Sequence, residues 1–429
     1  MSEKKVMEKK LKKIGAKIGD VVRVTKKDNK YEGVMMPHHE FSDGKIITLK
    51  LKNGYNMGVE IDDNTKIALV KKQKEISKKS KKIPFDEDKP TISILGTGGT
   101  IACYVDYRTG AVHPATSTQE LAFSVPDIFD ICNVKTEVVY QMFSEDIEIK
   151  HWQKLAKTIA EELNNGSNGV IIPHGTDTLA YTSAALSFML KNLSGPVVLV
   201  GAQRSSDRPS SDAALNLIAA ATVASKSDIG EVVAVMHEST SDTSLAIHRG
   251  TKVRKIHTSR RDAFKTINDI PIGMVENGKI KINGQYRKKT KGKVSIDDKL
   301  ETDVVMIYSH PGLKPKDIPD KKGIILIGTG LGHVSKKIVP RIKELSEKGT
   351  IFAMTSQCFF GRINMNVYST GRDLLKIGII PCEDMLPETA YVKLMWALAH
   401  AKNRNEIKKI MQTNIAGEIS KRTRSDTYL

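Results

Sequence analysis

The sequence predicts an α/β protein: two α/β domains with mostly parallel sheets, preceded by a small N-terminal β-barrel. Short β-rich runs crowd residues 15–70, apolar strands alternate with helical stretches from residue 91, and a similar alternation begins at residue 301. Such alternation is typical of a parallel sheet that is covered by helices on both faces. The chain has 429 residues, which is enough for two or three domains.

The barrel is predicted within a first domain over residues 1–83. Five short β-like runs lie between residues 15 and 70, and Asp28-Asn29 between two of them is typical of a hairpin turn. Five short strands in so few residues favour a small closed barrel over part of a larger sheet. A lysine-rich stretch then leads to Pro84, where a linker is predicted.

The rest of the chain divides into an α/β domain over 84–270, a connector over 271–300 and a second α/β domain over 301–429. In the first α/β domain the runs TISIL, GVIIP, PVVLVGA and EVVAVM alternate with helical stretches near 151–164, 177–192 and 212–225. The connector contains a predicted hairpin, MVENGKIKI. Ligand sites of parallel α/β sheets lie at the carboxyl ends of the strands. The polar residues that follow these strands are therefore the functional candidates.

Charge and composition narrow the class of protein. The net charge is +18, with lysines clustered at 71–83 and a second basic run at 287–293. Lysine runs are usually solvated, so the charge leaves contact with nucleic acid as an open alternative. The start MSEKKVMEKK has no apolar stretch, no run is apolar enough to span a membrane, and the four cysteines are scattered. We expect a cytoplasmic protein with reduced thiols and no membrane contact.

The stretch TISILGTGGTIACYVDYRTG, residues 91–110, admits two interpretations: a phosphate-binding loop or a turn that presents a hydroxyl nucleophile. A dinucleotide fingerprint needs a third glycine, and Ile101 stands in its place. A P-loop needs a Gly-Lys-Ser/Thr ending, which is absent here. Gly328-Thr329-Gly330 fails the same test because His333 stands at the third position. Both nucleotide interpretations are therefore weak.

Two other segments support the interpretation as a turn that presents a hydroxyl nucleophile. Thr100 follows two glycines directly after a strand. In IIPHGTDTLAYT, Thr176 and Asp177 lie between a strand and a helix, where the simpler alternative is helix capping. The polar stretch HRGTKVRKIHTSRRDAF offers Lys252 and Lys255, although a lysine there is ordinarily a surface charge.

Taken together, these motifs resemble the bacterial-type L-asparaginase family. The resemblance covers residues 90–429 and rests on TGGTIA (97–102), HGTDT (174–178), GAQR…SSDAALNL (201–217), Lys255 and the Ser144-Glu145-Asp146 segment. It implies that the two α/β domains are asparaginase-like and that the activity is amide hydrolysis.

The resemblance also implies the site residues. The family's usual nucleophile falls on Thr100, and its activating set falls on Thr176, Asp177 and Lys255. Its flexible-loop tyrosine falls on Tyr107, and its contact to the substrate α-carboxylate falls on Ser144; Asp177 is also expected to bind substrate. No metal ligand is expected.

A threonine hydroxyl needs a positioned base at neutral pH. Burial would disfavour the charged ammonium of Lys255, whereas the Asp177 carboxylate would favour it. We therefore expect Thr176, Lys255 and Asp177 to act as one hydrogen-bonded unit that passes a proton. Whether Thr100 or Thr176 carries the acyl group stays open from the sequence, with Thr100 favoured.

The small N-terminal domain and the basic charge extend the resemblance to the D subunits of the archaeal glutamyl-tRNA(Gln) amidotransferases. That family implies a glutaminase whose ammonia serves a partner, the E subunit, which uses ATP and Mg2+ to amidate Glu-tRNA(Gln). It implies no cofactor on this chain, glutamine as ammonia donor, a homodimer through the asparaginase-like domains and hence a heterotetramer. A stand-alone L-asparaginase is the alternative. A non-enzymatic tRNA-binding scaffold is disfavoured because the hydroxyl, Asp and Lys set is present.

Overall fold

The structure is a computed structural model that describes residues 10–36, 45–51, 56–72, 83–98, 103–105, 112–114, 118–204 and 211–427. In these residues an N-terminal antiparallel sheet precedes two α/β units. None of the helices in the described part of the chain combines the length and the apolarity that are needed to span a membrane.

The N-terminal sheet has the five predicted strands, arranged in the order β4-β3-β2-β1-β5 and antiparallel throughout. Alternate residues such as Val22, Val24, Ile47 and Leu49 are fully buried and form its core. The strands are β1 Val21–Lys26, β2 Asn29–Met35, β3 Ile46–Lys50, β4 Asn56–Glu60 and β5 Lys66–Lys71.

The expectation of a closed barrel is wrong for the described residues, in which β4 and β5 are the two edges of an open sheet. The chain passes from β4 to β5 through a turn that the Thr65 hydroxyl fixes by donating to Asp62 Oδ1 at 2.7 Å. Lys26, at the end of β1, reaches Glu60 Oε2 at 3.3 Å and Asp62 Oδ2 at 3.4 Å. Side chains of β1, β4 and the following turn thus contact each other, and no backbone ladder joins β4 to β5 in the described residues.

The first α/β unit is built on a sheet of eight strands in the order β18-β17-β14-β13-β12-β10-β6-β9. Its members are β6 Thr91–Gly98, β9 Asn133–Met142, β10 Val170–Pro173, β12 Val197–Val200, β13 Val232–His237, β14 Ser244–Arg249, β17 Gly273–Glu276 and β18 Lys279–Ile282. Short two-stranded pairs accompany it: β7 Cys103–Val105 with β8 Val112–Pro114, β11 Leu190–Lys191 with β19 Ser295–Ile296, and β15 Val253–Lys255 with β16 Phe264–Thr266.

The predicted parallel pairing is confirmed from β9 through β6, β10 and β12 to β13. Beyond β13 the sheet becomes antiparallel. The hairpin predicted in the connector is β17–β18, and its strand β17 pairs with β14. Gly273 permits the close approach of the Lys281 backbone within the hairpin. The connector hairpin thus extends the sheet that carries the candidate site.

Helices cover both faces of this sheet and bury an apolar core on each. They are α1 Thr118–Ser124, α2 Ile128–Ile131, α3 Ile149–Asn164, α4 Leu179–Met189 and α5 Ala213–Lys226. Leu155 and Ile159 of α3 repeat at helical spacing and pack with Leu186 of α4, whereas Leu217 of α5 packs on the opposite face. The apolar strands between them are buried on both sides, as a parallel sheet requires.

The second α/β unit has a four-stranded parallel sheet. Its elements are β20 Val304–Tyr308, β21 Gly323–Gly328, α6 Val339–Glu347, β22 Ile351–Ser356, α7 Ser369–Ile377, β23 Ile380–Pro381, α8 Pro387–His400 and α9 Arg404–Gln412. Helix α8 packs against α4 of the first unit, where Tyr181 and Tyr391 meet edge to face with ring centroids 6.3 Å apart.

Candidate active site

The carboxyl ends of three neighbouring strands meet at the candidate site. The hydroxyl of Thr97, in β6, donates to the carbonyl of Pro173 at the end of β10, at 2.7 Å. Gly98 has a φ of 96°, and a Cβ there would lie 2.5 Å from the carbonyl oxygen of Met142 at the end of β9. Only glycine fits this conformation and this approach, so Gly98 lets the ends of β6 and β9 pack tightly.

The HGTDT motif follows β10 and packs against Ser144. A Cβ on Gly175 would lie 2.6 Å from Ser144 Cβ, and the Thr178 hydroxyl donates to the Ser144 carbonyl at 2.7 Å. Ser144 itself is buried, and among the described residues no partner binds its hydroxyl. The close packing fixes Ser144 beside the turn and leaves its hydroxyl available to a ligand.

The helix-capping alternative is wrong for this turn. Helix α4 begins at Leu179, its N-cap residue is Thr178, and no side chain caps it. Thr176 and Asp177 therefore precede the helix, and their side chains serve another purpose.

Lys255 joins these two residues. Its ammonium donates to Thr176 Oγ1 at 2.9 Å and to Asp177 Oδ1 at 2.9 Å. Thr176 is buried, the Lys255 side chain is 16% exposed and that of Asp177 is 67% exposed. The structure thus brings together three of the residues that the sequence singled out, with Asp177 at the solvent-facing end.

This arrangement is suited to moving a proton. Lys255 in its neutral form accepts a proton from a hydroxyl, and a carboxylate at 2.9 Å stabilises the ammonium that results. A hydroxyl, an amine and a carboxylate in contact are the elements of nucleophilic amide hydrolysis.

Contacts from the second unit hold the strand that carries Lys255. Arg254 Nε lies 3.3 Å from Glu388 Oε1, in the first turn of α8, and its guanidinium lies 4.8 Å from the centre of the Phe359 ring. All of these groups are buried or partly buried except Phe359. The position of Lys255 therefore depends on packing between the two units.

A chain of buried polar groups supports the GAQR motif. A Cβ on Gly201 would lie 2.8 Å from Thr176 Cγ2, so this glycine lets the threonine pack closely. Asn216 donates to the Gly201 carbonyl at 2.9 Å and accepts from His237 Nδ1 at 2.6 Å. Asp212 accepts from the backbone N–H groups of Gln203 and Arg204. The SSDAALNL motif thus supports the turn behind Thr176.

His174 lies directly under the site. It is fully buried, and its Nδ1–H donates to the Gly175 carbonyl at 2.6 Å. Burial lowers the pKa of His174 to about 4, so the imidazole is neutral at pH 7. It acts as a structural support for the turn and not as a cation near the substrate.

Two predicted site residues, Thr100 and Tyr107, lie outside the described residues. Lys252, the other lysine considered, belongs elsewhere: it is fully buried, and its ammonium lies 2.7 Å from Asp384 Oδ2 and 3.1 Å from Ser420 Oγ. Its role is to join the two units.

Sequence reasoning missed Thr97, Thr178 and Glu388. The first two lie inside the quoted TGGTIA and HGTDT motifs, so their hydroxyls next to strand ends were a usable signal. Glu388 had no such signal in the sequence, because its contact with Arg254 exists only after the two units pack. Over the described ranges, no three His, Cys, Asp or Glu side chains cluster so that they could hold a metal ion.

Family models match three parts of the chain. The asparaginase N-terminal model matches residues 91–288, the glutaminase/asparaginase C-terminal domain matches 303–411, and the GatD N-terminal domain matches 16–70. The three matches follow the N-terminal sheet and the two α/β units.

Relatives match along nearly the whole chain. The D subunit of the glutamyl-tRNA(Gln) amidotransferase of Pyrococcus furiosus is 53% identical over 98% of both chains. That of Methanobrevibacter smithii is 44% identical over 100% of both chains. Among solved structures, the thermostable L-asparaginase from Thermococcus kodakarensis has a TM-score of 0.69 at 32% identity, covering 77% of this chain and 99% of that chain. L-asparaginase I from Vibrio cholerae has a TM-score of 0.68 at 28% identity, with the same coverage.

Proposed function

The chain belongs to the asparaginase family, as the D subunit of a glutamyl-tRNA(Gln) amidotransferase, and we propose from this how its site hydrolyses glutamine. The protein is the glutaminase of the amidotransferase. The observation that carries the mechanism is the Lys255 ammonium, which lies 2.9 Å from both Thr176 Oγ1 and Asp177 Oδ1.

The reaction is an acyl transfer in two steps. A threonine hydroxyl attacks the carboxamide carbon of glutamine, the C–N bond breaks, and ammonia leaves with the proton that the hydroxyl gave up. Water then attacks the glutamyl ester, which releases glutamate and restores the hydroxyl. In both steps Lys255 takes up and returns the proton, and Asp177 stabilises its charged form.

Thr100 is the proposed nucleophile, and Thr176 is the proposed relay to Lys255. Thr176 is buried and already bonded to Lys255, so it suits a role behind the attacking group. The developing oxyanion needs backbone N–H donors, and the glycine-rich strand end at Gly98 is the proposed source.

Recognition of the amino acid is proposed for Ser144, Asp177 and Tyr107. The Ser144 hydroxyl, which has no partner among the described residues, suits the α-carboxylate, and the exposed Asp177 carboxylate suits the α-ammonium. Tyr107 is proposed to close over the bound substrate.

The name of the relatives implies a complex with other amidotransferase subunits. We propose that the E subunit receives the ammonia and uses ATP and Mg2+ to amidate Glu-tRNA(Gln), with no cofactor on this chain. A cytoplasmic heterotetramer built on a homodimer of this chain is proposed with it.

Ammonia release tests the proposed function. Purified chain is assayed with glutamine and with asparagine, alone and with the E subunit and Glu-tRNA(Gln). We expect glutamine turnover to rise when partner and tRNA are present. Strong asparagine turnover by the isolated chain, unaffected by the partner, would instead support a stand-alone asparaginase.

The nucleophile has its own test. Acid-quenched enzyme with glutamine is digested and examined by mass spectrometry for a glutamyl adduct. We expect the adduct on the peptide that contains Thr100, and an adduct on the Thr176 peptide would reverse the two roles.

A further inference from the structure

A cavity of about 240 Å³ lies away from the candidate active site and is lined by cations. Lys191, Arg287 and Lys288 contribute the charge, Asn192 and Thr290 contribute polar groups, and no Asp or Glu is among the lining residues. Such a lining favours an anionic ligand.

The cavity lies at the opposite end of the parallel strands from Thr176. Leu193 precedes β12, and Gly230 and Val232 lie at the start of β13. Thr176 follows the carboxyl end of β10, which runs parallel to β12. The two sites are therefore separated by the length of the strands and are distinct.

Lys191 is the least exposed of the three cations that line the cavity. Its ammonium lies 4.6 Å from the centre of the Trp396 ring, and among the described residues it has no hydrogen bond and no carboxylate within ion-pair distance. Burial lowers the pKa of Lys191 and the positive charge of Arg287 adds to this, whereas the carboxylates of Asp297 and Glu418 oppose it. A bound anion would supply the missing partner for a half-buried charge.

Two acids next to the Arg287–Lys288 segment are already engaged. The Glu231 carboxylate is buried and accepts from Arg249 Nε at 2.9 Å and from the Arg287 backbone N–H at 2.6 Å. Asp228 accepts from the Tyr286 hydroxyl at 2.6 Å and lies 3.0 Å from Lys288 Nζ. Glu231 also lies 3.9 Å from Arg287 Nε. Both acids are thus engaged by other cations, and neither is within ion-pair distance of Lys191.

The surface around the cavity extends its positive charge. Lys289, Lys291 and Lys293 are exposed on the same segment as Arg287 and Lys288. A guanidinium next to an ammonium suits tetrahedral oxyanions, and further lysines favour a ligand with more than one negative charge.

We propose that this cavity binds a phosphate group through Lys191 and Arg287, with Lys288 and Thr290 at its rim. The phosphate is either free or part of an RNA backbone, and the chemistry of recognition is the same for both. The proposal is independent of the glutaminase activity.

The test compares the full-length chain with its Lys191→Ala variant. Binding of inorganic phosphate is followed by 31P NMR titration, and binding of an RNA hairpin is followed by fluorescence anisotropy at several salt concentrations. We expect saturable phosphate binding that is at least about tenfold weaker in Lys191→Ala. If RNA supplies the phosphate, the RNA affinity of Lys191→Ala also falls. The slope of the logarithm of that affinity against the logarithm of the salt concentration then decreases in magnitude by about one.

The matched control is Lys343→Ala, because that lysine is 63% exposed on α6 and far along the chain from the cavity. Its phosphate and RNA affinities should equal those of the wild type. Because Lys191 packs on Trp396, its removal could disturb the fold. Lys288→Ala is therefore the second variant, since the Lys288 side chain is 73% exposed. Glutaminase activity should be unchanged in all three variants.

Each outcome either supports or overturns the proposed phosphate site. Weaker phosphate binding in Lys191→Ala and Lys288→Ala supports the site, and a parallel loss of RNA binding identifies RNA as the source. The proposal would be overturned if the wild type bound phosphate and RNA with the same affinities as Lys191→Ala and Lys288→Ala.

Discussion

Among single residues, Lys255 has the central part in the proposed chemistry, because its ammonium donates to both Thr176 and Asp177. Lys255→Met keeps the length and apolar volume of the side chain but cannot accept a proton. We expect kcat for glutamine hydrolysis to fall by about 10²- to 10⁴-fold, the usual contribution of a positioned acid–base group.

The measurement is ammonia release at saturating glutamine, with the fold checked by circular dichroism. Lys279→Met is the matched control, since Lys279 is exposed in the hairpin β17–β18. A folded Lys255→Met enzyme with more than a tenth of wild-type activity would contradict the assigned role.

Two buried histidines predict how stability depends on pH. Burial lowers the pKa of His174 to about 4 and that of His248 to about 3, against an ordinary value of 6.5. At both positions the unfolded chain binds a proton more readily than the folded chain. The contribution of the two neutral histidines to the free energy of unfolding is therefore present above pH 6.5 and is lost as the pH falls below it. Each should lower the free energy of unfolding by about 2 kcal/mol between pH 6.5 and 5.

Urea unfolding across this pH range checks the prediction. In His248→Gln, which cannot take up that proton, the loss between pH 6.5 and 5 should be smaller by about 2 kcal/mol. An identical pH dependence in both proteins would argue against the neutral buried form of His248.

The residues of the site were predictable to different degrees. Thr176, Asp177 and Lys255 were found because each lies in a short motif that resembles a known family. Glu388 was not, because its pairing with Arg254 joins α8 to β15 across a large separation in sequence. Lys252 and Lys255 lie three residues apart and look alike in sequence, and only their surroundings separate a buried structural lysine from one in the site.

At the scale of secondary structure elements, the turn between β10 and α4 is closely packed against Ser144. In Gly175→Ala the new methyl carbon would meet Ser144 Cβ at 2.6 Å and Oγ at 2.7 Å. The turn must then move away from Ser144. We expect a loss of about 1–3 kcal/mol in stability and a higher KM for glutamine, since the proposed carboxylate contact is displaced.

Thermal unfolding and steady-state kinetics test this expectation. Gly312→Ala is the control, because a Cβ there meets nothing closer than 3.5 Å and the residue has no positive φ. Equal behaviour of the two variants would show that Gly175 is not required by Ser144.

The elements themselves were predicted more fully than their pairing. Strand runs such as VVLV and VVAVM were recognised because parallel strands buried on both faces are continuously apolar. The place of hairpin β17–β18 at the sheet edge was not predicted, since a hairpin has the same local sequence whether it is free or paired. The closed barrel was wrong for a related reason: strand count does not determine whether β4 meets β5.

For the molecule as a whole, a buried ion pair joins helix α8 to the segment after α9. Lys393 and Glu418 are both fully buried, with Nζ and Oε1 2.5 Å apart. Glu418 also accepts from the backbone N–H groups of Ile415 at 3.0 Å and Ala416 at 2.6 Å, and Lys393 donates to the Met411 carbonyl at 3.0 Å. The pair is thus satisfied on both sides.

Removing one member should be costly. In Lys393→Met the Glu418 carboxylate stays buried without its cation, and we expect a loss of about 3–5 kcal/mol of stability. In the double variant Lys393→Met/Glu418→Gln no charge is left, and the amide oxygen still accepts from the backbone. We expect the double variant to recover most of the free energy of unfolding that is lost in Lys393→Met. Chemical unfolding measures this, and a double variant that recovers nothing would show that the buried charge is not the cause of the loss.

That segment has a consequence for the order of events during synthesis. Glu418 leaves the ribosome after both α/β units have been translated, and until then the Lys393 ammonium lies in its apolar surroundings without a carboxylate. Any nascent or truncated chain that stops before Glu418 carries an uncompensated charge inside its second unit. We therefore expect an interrupted product to be less stable than the complete chain.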